Sequence, residues 1–213
     1  MVVAVIADIV GSRTLPDRSA AQRAIDDAVA RVERDLPVSQ APLTPVVGDE
    51  LQGRYGDLPE ALSSLLLLRL ALPDGVECRF GIGIGAVGAI PSSAGPLSDG
   101  PAWWAARAAV EALEAKQRRT VPGARTWVVA ADDESEQTRD AATWANAYLL
   151  ARDRLVSEMS ERTRRIAYRR CLGETQQSIA RTEGITQPAV SQALSSAGGS
   201  EVVEGFALLT ARA

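Results

Sequence analysis

Residues 1–13, MVVAVIADIVGSR, decide how the rest of the chain is read. Val2 to Ile6 is β-branched and nearly unbroken, the pattern of a strand buried on both faces. Asp8 ends that run, and a carboxylate so placed costs several kcal/mol unless it is paired, hydrogen-bonded or bound to a cation. Gly11, Ser12 and Arg13 follow at once and supply a flexible backbone, a hydroxyl and a positive charge. A lone Asp at a strand end is most simply a turn cap. A larger role for Asp8 requires a partner elsewhere in the chain.

Strand and helix signals alternate beyond that point. Between Pro16 and Leu36 the residues Ala20, Ala21, Ala24, Ile25, Ala28, Val29 and Val32 make a helical stripe. Pro42 to Tyr55 reads as a hairpin with Gly48 and Asp49 at its turn. Leu58 to Leu72 is a second helix, stopped by PDG. Arg79 to Val87, RFGIGIGAV, is a strand whose glycines alternate with Ile82 and Ile84 and admit a ligand or a neighbouring backbone. Pro101 to Gln117 is a third helix and Thr126 to Ala130 a short strand, while the Ser- and Gly-rich Pro91–Gly100 stretch reads as a connection. The order βαββαβαβ predicts an α/β (α+β) sheet domain with a ferredoxin-like core and helices mostly on one face. Residues 132–138, DDESEQT, read as a connector, and no strand signal follows it. The expected division is a sheet domain over 1–135 and an all-α region over 136–213.

Composition narrows the chemistry. The 213 residues contain no His, so zinc sites of the usual His/Cys type and His-dependent nucleophiles are excluded. Carboxylates, Arg, Lys and hydroxyls remain, a set suited to Mg²⁺ and phosphate. Cys78 and Cys171 match no CxxC spacing and read as free thiols of a reducing cytoplasm. No signal-peptide or membrane-spanning pattern is present, which predicts a cytoplasmic protein. Charge is uneven: 14 basic residues face 20 acidic ones before residue 151, and 9 face 7 after it. Such asymmetry suggests different partners for the two parts.

The most specific local pattern is TQQSIARTEGITQPAVSQAL, residues 175–194. Ala180 lets a second helix approach the first, Gly184 makes the turn, and Ile185 and Val190 pack the pair. Pro188 falls in the first turn after Thr186, where its missing N–H is harmless. This resembles the helix-turn-helix of sigma-factor region four and of many bacterial repressors. Thr186, Gln187, Ser191, Gln192 and Ser195 form the outer face of its second helix and suit base edges, Gln suiting adenine. That helix has no Lys or Arg, so phosphate contacts are expected from Arg162, Arg164, Arg165, Arg169, Arg170 and Arg181, with dimerisation supplying affinity. The same helical pair also suits a protein partner.

ADIVGSR, VVGDEL, RFGIGIGAVG and GPAWWAARAA occur in the order and spacing of class III nucleotidyl cyclase motifs. With DGPAWWAAR and the C-terminal helix-turn-helix, the whole arrangement resembles the SatD family, a reduced cyclase-like domain joined to a helix-turn-helix. The resemblance implies that Asp8 and Asp49 are metal ligands, Mg²⁺ being the expected ion. It also implies that Ile9, Val10, Gly11 and Ser12, with Arg13 beside them, wrap a phosphate chain, and that Trp103 and Arg107 face the ligand. Arg107 matches the cyclase arginine that stabilises charge on the reacting phosphate. Two departures count against cyclisation. Trp103 stands in place of a ribose-orienting Asn, and Pro45 in place of a base-reading Lys; neither can do that work. The expected function is a homodimeric DNA-binding transcriptional regulator whose degenerate cyclase-like domain binds a nucleotide or related phosphate ligand. An active cyclase or phosphoryl-transfer enzyme, and a protein-interaction module, are the alternatives.

Overall fold

A computed structural model describes residues 2–90 and 97–211. Its centre is β1 (Val2–Ile9), the apolar run quoted above, flanked on both sides by antiparallel strands. β3 (Glu50–Tyr55) and β4 (Cys78–Gly85) are those neighbours, β2 (Ser39–Val47) lies outside β3, and β7 (Thr126–Ala130) runs parallel to β4. The sheet order is β2-β3-β1-β4-β7. β2 tolerates Pro42 and Pro45 because it is an edge strand whose pairing is broken by register shifts. Residues 88–90 (β5) and 97–99 (β6) form a separate small ribbon, the second strand inside the stretch expected to be a plain connection. Most of that expected connection, residues 91–96, lies outside the described residues.

Alternation along β1 divides the interior. Val3, Val5, Ala7 and Ile9 enter the main core with α1 (Arg18–Asp35) and α2 (Leu58–Ala71). Ala4 and Ile6 face the opposite way and pack against α3 (Pro101–Arg119) through Ala102, Trp103, Ala106 and Val110. Helices therefore cover both faces, with α1 and α2 on one and α3 on the other, where the sequence led one to expect them mostly on one. The reason lies in β4. A Cβ on Gly83 would stand 1.9 Å from the Ala102 carbonyl oxygen, and one on Gly81 2.3 Å from that of Ala106. These glycines let the α3 backbone lie directly on the strand, so a backbone is what the alternating glycines admit.

α2 has no polar face. From Leu65 to Leu68 every residue is buried, and Ser63, Ser64 and Arg69 are buried with them. A helix apolar all round must be covered all round. The sheet covers one side, and α5 (Glu161–Cys171) and α8 (Gly199–Thr210) cover another. One core cluster runs from Val3 in β1 to Phe206 in α8. The boundary drawn at 135/136 falls at the N-cap of α4 (Glu136–Glu158), where Ser135 accepts from Thr138 N–H, so the helix starts inside the expected connector. α4 and α5 meet at Met159–Ser160.

The far edge of the sheet is closed by side chains of α4 rather than by another strand. Asn146 both accepts from Val128 N–H and donates to Val128 C=O, each at 2.8 Å. Asp153 Oδ2 accepts from Arg125 N–H at 2.5 Å and Thr126 N–H at 2.8 Å. Unpaired strand groups at an edge are costly when buried, and these contacts satisfy them. The other oxygen of Asp153 receives Arg69 from α2 and Arg152 from α4, both at 2.6 Å.

Those two guanidiniums and two backbone donors hold the Asp153 carboxyl below the ordinary Asp range, although burial alone pushes it upward. A depressed folded value means that its stabilisation is present above the unfolded pKa, about 3.9, and is lost as pH falls through the folded value. Asp153→Ala should cost about 3–5 kcal/mol at neutral pH, because two buried arginines lose their carboxylate. Urea unfolding of both proteins across pH 2–7 should show the gap closing at the acid end.

Candidate functional site

Asp8 lies one residue from the end of β1, on the face that carries α3. Its cross-strand neighbour on β4 is Arg79. Arg79 Nη1 donates to Asp8 Oδ2 at 3.1 Å and stands 3.8 Å from Glu114 of α3. The pair leaves two buried atoms, Asp8 Oδ1 and Arg79 Nε, without a hydrogen-bond partner among the described residues. Burial raises the Asp8 carboxyl above the ordinary Asp range; Arg79 opposes this, and Asp49, Glu114 and Glu50 add to it.

Asp49 enters through the hairpin. Gly48 and Asp49 form the turn between β2 and β3, and β3 pairs with β1 up to Ala7 opposite Leu51. The turn thus comes to the same end of β1 as Asp8, close enough for its charge to act on that carboxyl. Glu50, next along, accepts from Arg107 of α3 at 2.6 Å through each carboxylate oxygen. The site therefore gathers four carboxylates (Asp8, Asp49, Glu50 and Glu114) and two guanidiniums from β1, the hairpin, β4 and α3. Among the described residues no three acidic or thiol side chains are arranged around a common ion position.

The remaining expected ligand residues divide. Ile9 is buried in the main core, and the Val10 N–H is spent on Glu77 C=O at 2.9 Å, so neither side chain nor donor is open to a phosphate. Gly11 is exposed and opens a one-turn 3-10 helix over Ser12–Thr14, with Ser12 half-buried beside it. The Arg13 side chain lies outside the described residues. Trp103 is 7% exposed and packs on Ala4 and Ile6, which corrects the expectation that it faces a ligand. Trp104 points outward at 62% exposure and donates to Asp99 at 2.9 Å. Two adjacent helical positions cannot both face the sheet. Arg107 reaches the site, tied to Glu50 rather than free. Arg79 and Glu114 were missed; the only signal for Arg79 was its place at the head of the RFGIGIG strand. Cys78 and Cys171 are free, and burial pushes each thiol up to about 12.

At the other end of the chain, α6 (Gln176–Glu183) and α7 (Gln187–Ser196) make the expected helix-turn-helix. Gly184 sits at φ +66°, the left-handed conformation that ends α6, and Thr186 caps α7 by accepting from Ala189 N–H. Gln187, Ser191, Gln192 and Ser195 are exposed on α7. Gln187 donates to Gln176 of α6 at 2.6 Å.

The basic run behaves otherwise than expected. Arg164 is 12% exposed and held by Asp74 at 2.6 Å and Met159 C=O at 3.0 Å. Arg165 is shared by Glu161 and Glu183, each at 3.0 Å, and Arg169 grips Glu174 at 2.6 Å. All three make ion pairs that brace α5, which competes with their use as DNA-phosphate contacts. Arg162 and Arg181 are exposed and have no carboxylate partner among the described residues.

The profile of the SatD family matches residues 2–200. The chain belongs to the SatD family. Among solved structures, a bacterial light-regulated adenylyl cyclase is 15% identical over 60% of this SatD chain and 74% of its own, with a TM-score of 0.43. The adenylyl cyclase CyaB from P. aeruginosa is 16% identical over 50% of this chain and 69% of its own, with a TM-score of 0.38. No curated protein matches. The chain is a mixed α+β fold built on the five-stranded sheet β2-β3-β1-β4-β7. Among the described residues no helix is long and apolar enough to cross a membrane.

Because the folded Asp8 carboxyl is raised, the folded state holds a proton that the unfolded state has already released. Stability should therefore fall as pH rises from about 3.9 through the folded value. Asp8→Asn should remove that fall, being the more stable protein at pH 7.5 and losing its advantage near pH 3.5. Chemical denaturation at both pH values, in the presence of a chelator, reads the difference.

Proposed function

We propose that this SatD chain is a ligand-responsive DNA-binding regulator. Its cyclase-like half takes a divalent cation and a nucleotide or related phosphate ligand, and its α6–α7 pair reads DNA. The observation that carries the DNA reading is the outer face of α7, where exposed Gln187, Ser191, Gln192 and Ser195 stand without charge on a capped helix. Such side chains have donors and acceptors suited to base edges in a major groove. Arg162 of α5 and Arg181 of α6 are exposed and would supply the phosphate contacts, so one copy is weakly basic and a homodimer on two half-sites provides the affinity.

The ligand reading rests on Asp8. A buried carboxylate oxygen without a partner, beside Asp49, has the chemistry of a hard-cation ligand. Asp8 and Asp49 would hold Mg²⁺, which when bound bridges carboxylates to phosphate oxygens. Gly11 and Ser12 follow Asp8 in the chain, in the turn that opens the 3-10 helix. Binding rather than turnover is favoured by buried Trp103 and by Arg107 held on Glu50. Formation of cyclic product from ATP or GTP that disappears in Asp49→Ala would make the chain an enzyme instead.

The committed arginines Arg164, Arg165 and Arg169 favour a second reading, in which α7 meets a protein. Salt-titrated binding to genomic fragments selected by the protein separates the two. On the DNA reading, Gln192→Ala costs on the order of 1–3 kcal/mol at the preferred site. Arg181→Gln weakens every sequence alike and reduces the salt slope by about 1, while Arg165→Gln leaves that slope unchanged. Absence of salt-dependent binding to any fragment favours the protein partner.

A further inference from the structure

A cavity of about 480 Å³ opens where the α2–β4 connection, the end of α4 and the start of α5 meet. Arg69 reaches it from α2 and Arg164 from α5, with side chains 6% and 12% exposed. The cavity's carboxylates are placed the other way. Asp74, Glu158 and Glu77 are 71%, 51% and 44% exposed, and they pair with Arg164, Arg154 and Arg125. Cations line the inside, and anions sit at the rim where water screens them.

The wall behind the cavity is short of negative charge. Arg69 and Arg152 share the one carboxylate of Asp153, while Arg125 and Glu77 balance each other. One positive charge is left over in the interior. Arg152, 2% exposed, keeps an Nη1 that finds no acceptor among the described residues. Desolvation lowers Arg69 to about 10 in spite of Asp153. A charge buried in excess is destabilising until a counter-ion reaches it.

We propose that this cavity binds a small oxyanion-bearing molecule, a phosphate ester or a carboxylate, against Arg69 and Arg164. Ser157, which accepts from Arg69 at 3.1 Å, retains its own hydroxyl hydrogen for such a ligand. The first turn of α5, capped by Ser160, borders the cavity and adds partial positive charge. This site is separate from that of Asp8. Asp8 faces α3, whereas Cys78, which lines the cavity, belongs to the main core on the other face. Arg69 comes from the sheet half, Arg164 from the helix that precedes the helix-turn-helix, and Val10 from the loop after Asp8. An anion held by Arg69 and Arg164 would join α2 of the sheet half to α5, and is placed to stiffen that joint.

Calorimetric titration of the full chain with inorganic phosphate, and separately with acetate, at fixed ionic strength, tests the proposal. Wild type should bind at least one of them saturably, the tighter one naming the ligand class. Arg164→Gln should weaken binding tenfold or more. Ser157→Asp puts a carboxylate against Arg69. It should abolish binding and, by supplying the missing counter-charge, raise Tm by about 2–4 °C. That variant carries the test alone if Arg164→Gln does not fold. Asp49→Asn should bind as wild type does, even if the cation reading at Asp8 fails. Absence of saturable binding, unchanged binding in Ser157→Asp, or loss confined to Asp49→Asn overturns the proposal.

Discussion

Asp153 accepts five hydrogen bonds, and the architecture turns on them. Arg69 and Arg152 donate three to one oxygen, and the backbone N–H groups of Arg125 and Thr126 donate two to the other. Through these bonds one carboxylate fixes the entry of β7 into the sheet, the position of α4 along its edge, and the depth of α2 in the core. A buried ion pair of this kind is weak evidence of net stability, since desolvation offsets much of the attraction. In this packing of α4 both arginines and both edge N–H groups are satisfied by the one carboxylate. Asn146, bonded to both sides of Val128, repeats the same solution two turns earlier on α4.

That stitching makes the two ends of the chain mechanically continuous. α2 is buried between the sheet and the helices that carry α6 and α7, so a displacement of β1 or β4 is met by the core that supports α5 and α8. Tyr168 of α5 adds a bond to Asp35 of α1 at 2.6 Å, and Arg31 lies 4.0 Å over its ring. On the opposite face, the close seating of α3 on Gly81 and Gly83 carries Arg107 and Glu114 to the Asp8 corner. Arg79 already neutralises part of Asp8 there, so the corner's charge is shared among residues of β1, the hairpin, β4 and α3. Coupling between distant sites needs a contiguous element with two arrangements that both sites bias. The α2–α4–α5 junction is the part of this fold where such an element belongs.

Local features were legible in the sequence, and long-range charge pairing was not. The strand at Val2–Ile9, the turn at Gly48–Asp49, and the cap and turn residues Thr186 and Gly184 each follow from a few neighbouring residues. The face taken by α3 depended on which side Gly81 and Gly83 turn, which the alternation alone leaves open. Arg79 needed the β1–β4 register before it could be set opposite Asp8. The arginines of α5 looked free because Asp74 is 90 residues away from Arg164, and Glu183 is 18 from Arg165. α8 had no pattern of its own picked out in the sequence; Val202 and Phe206, four residues apart, pack it onto the core.

The central claim is that occupancy of the Asp8–Asp49 corner changes how α7 meets DNA. The most direct measurement is the dissociation constant for a selected DNA fragment, by fluorescence anisotropy, with and without saturating Mg²⁺ and nucleotide at constant ionic strength. Allosteric coupling of ordinary size predicts a change of about 5–150-fold, abolished in Asp8→Asn. An unchanged constant at nucleotide concentrations shown to saturate the protein would contradict the account.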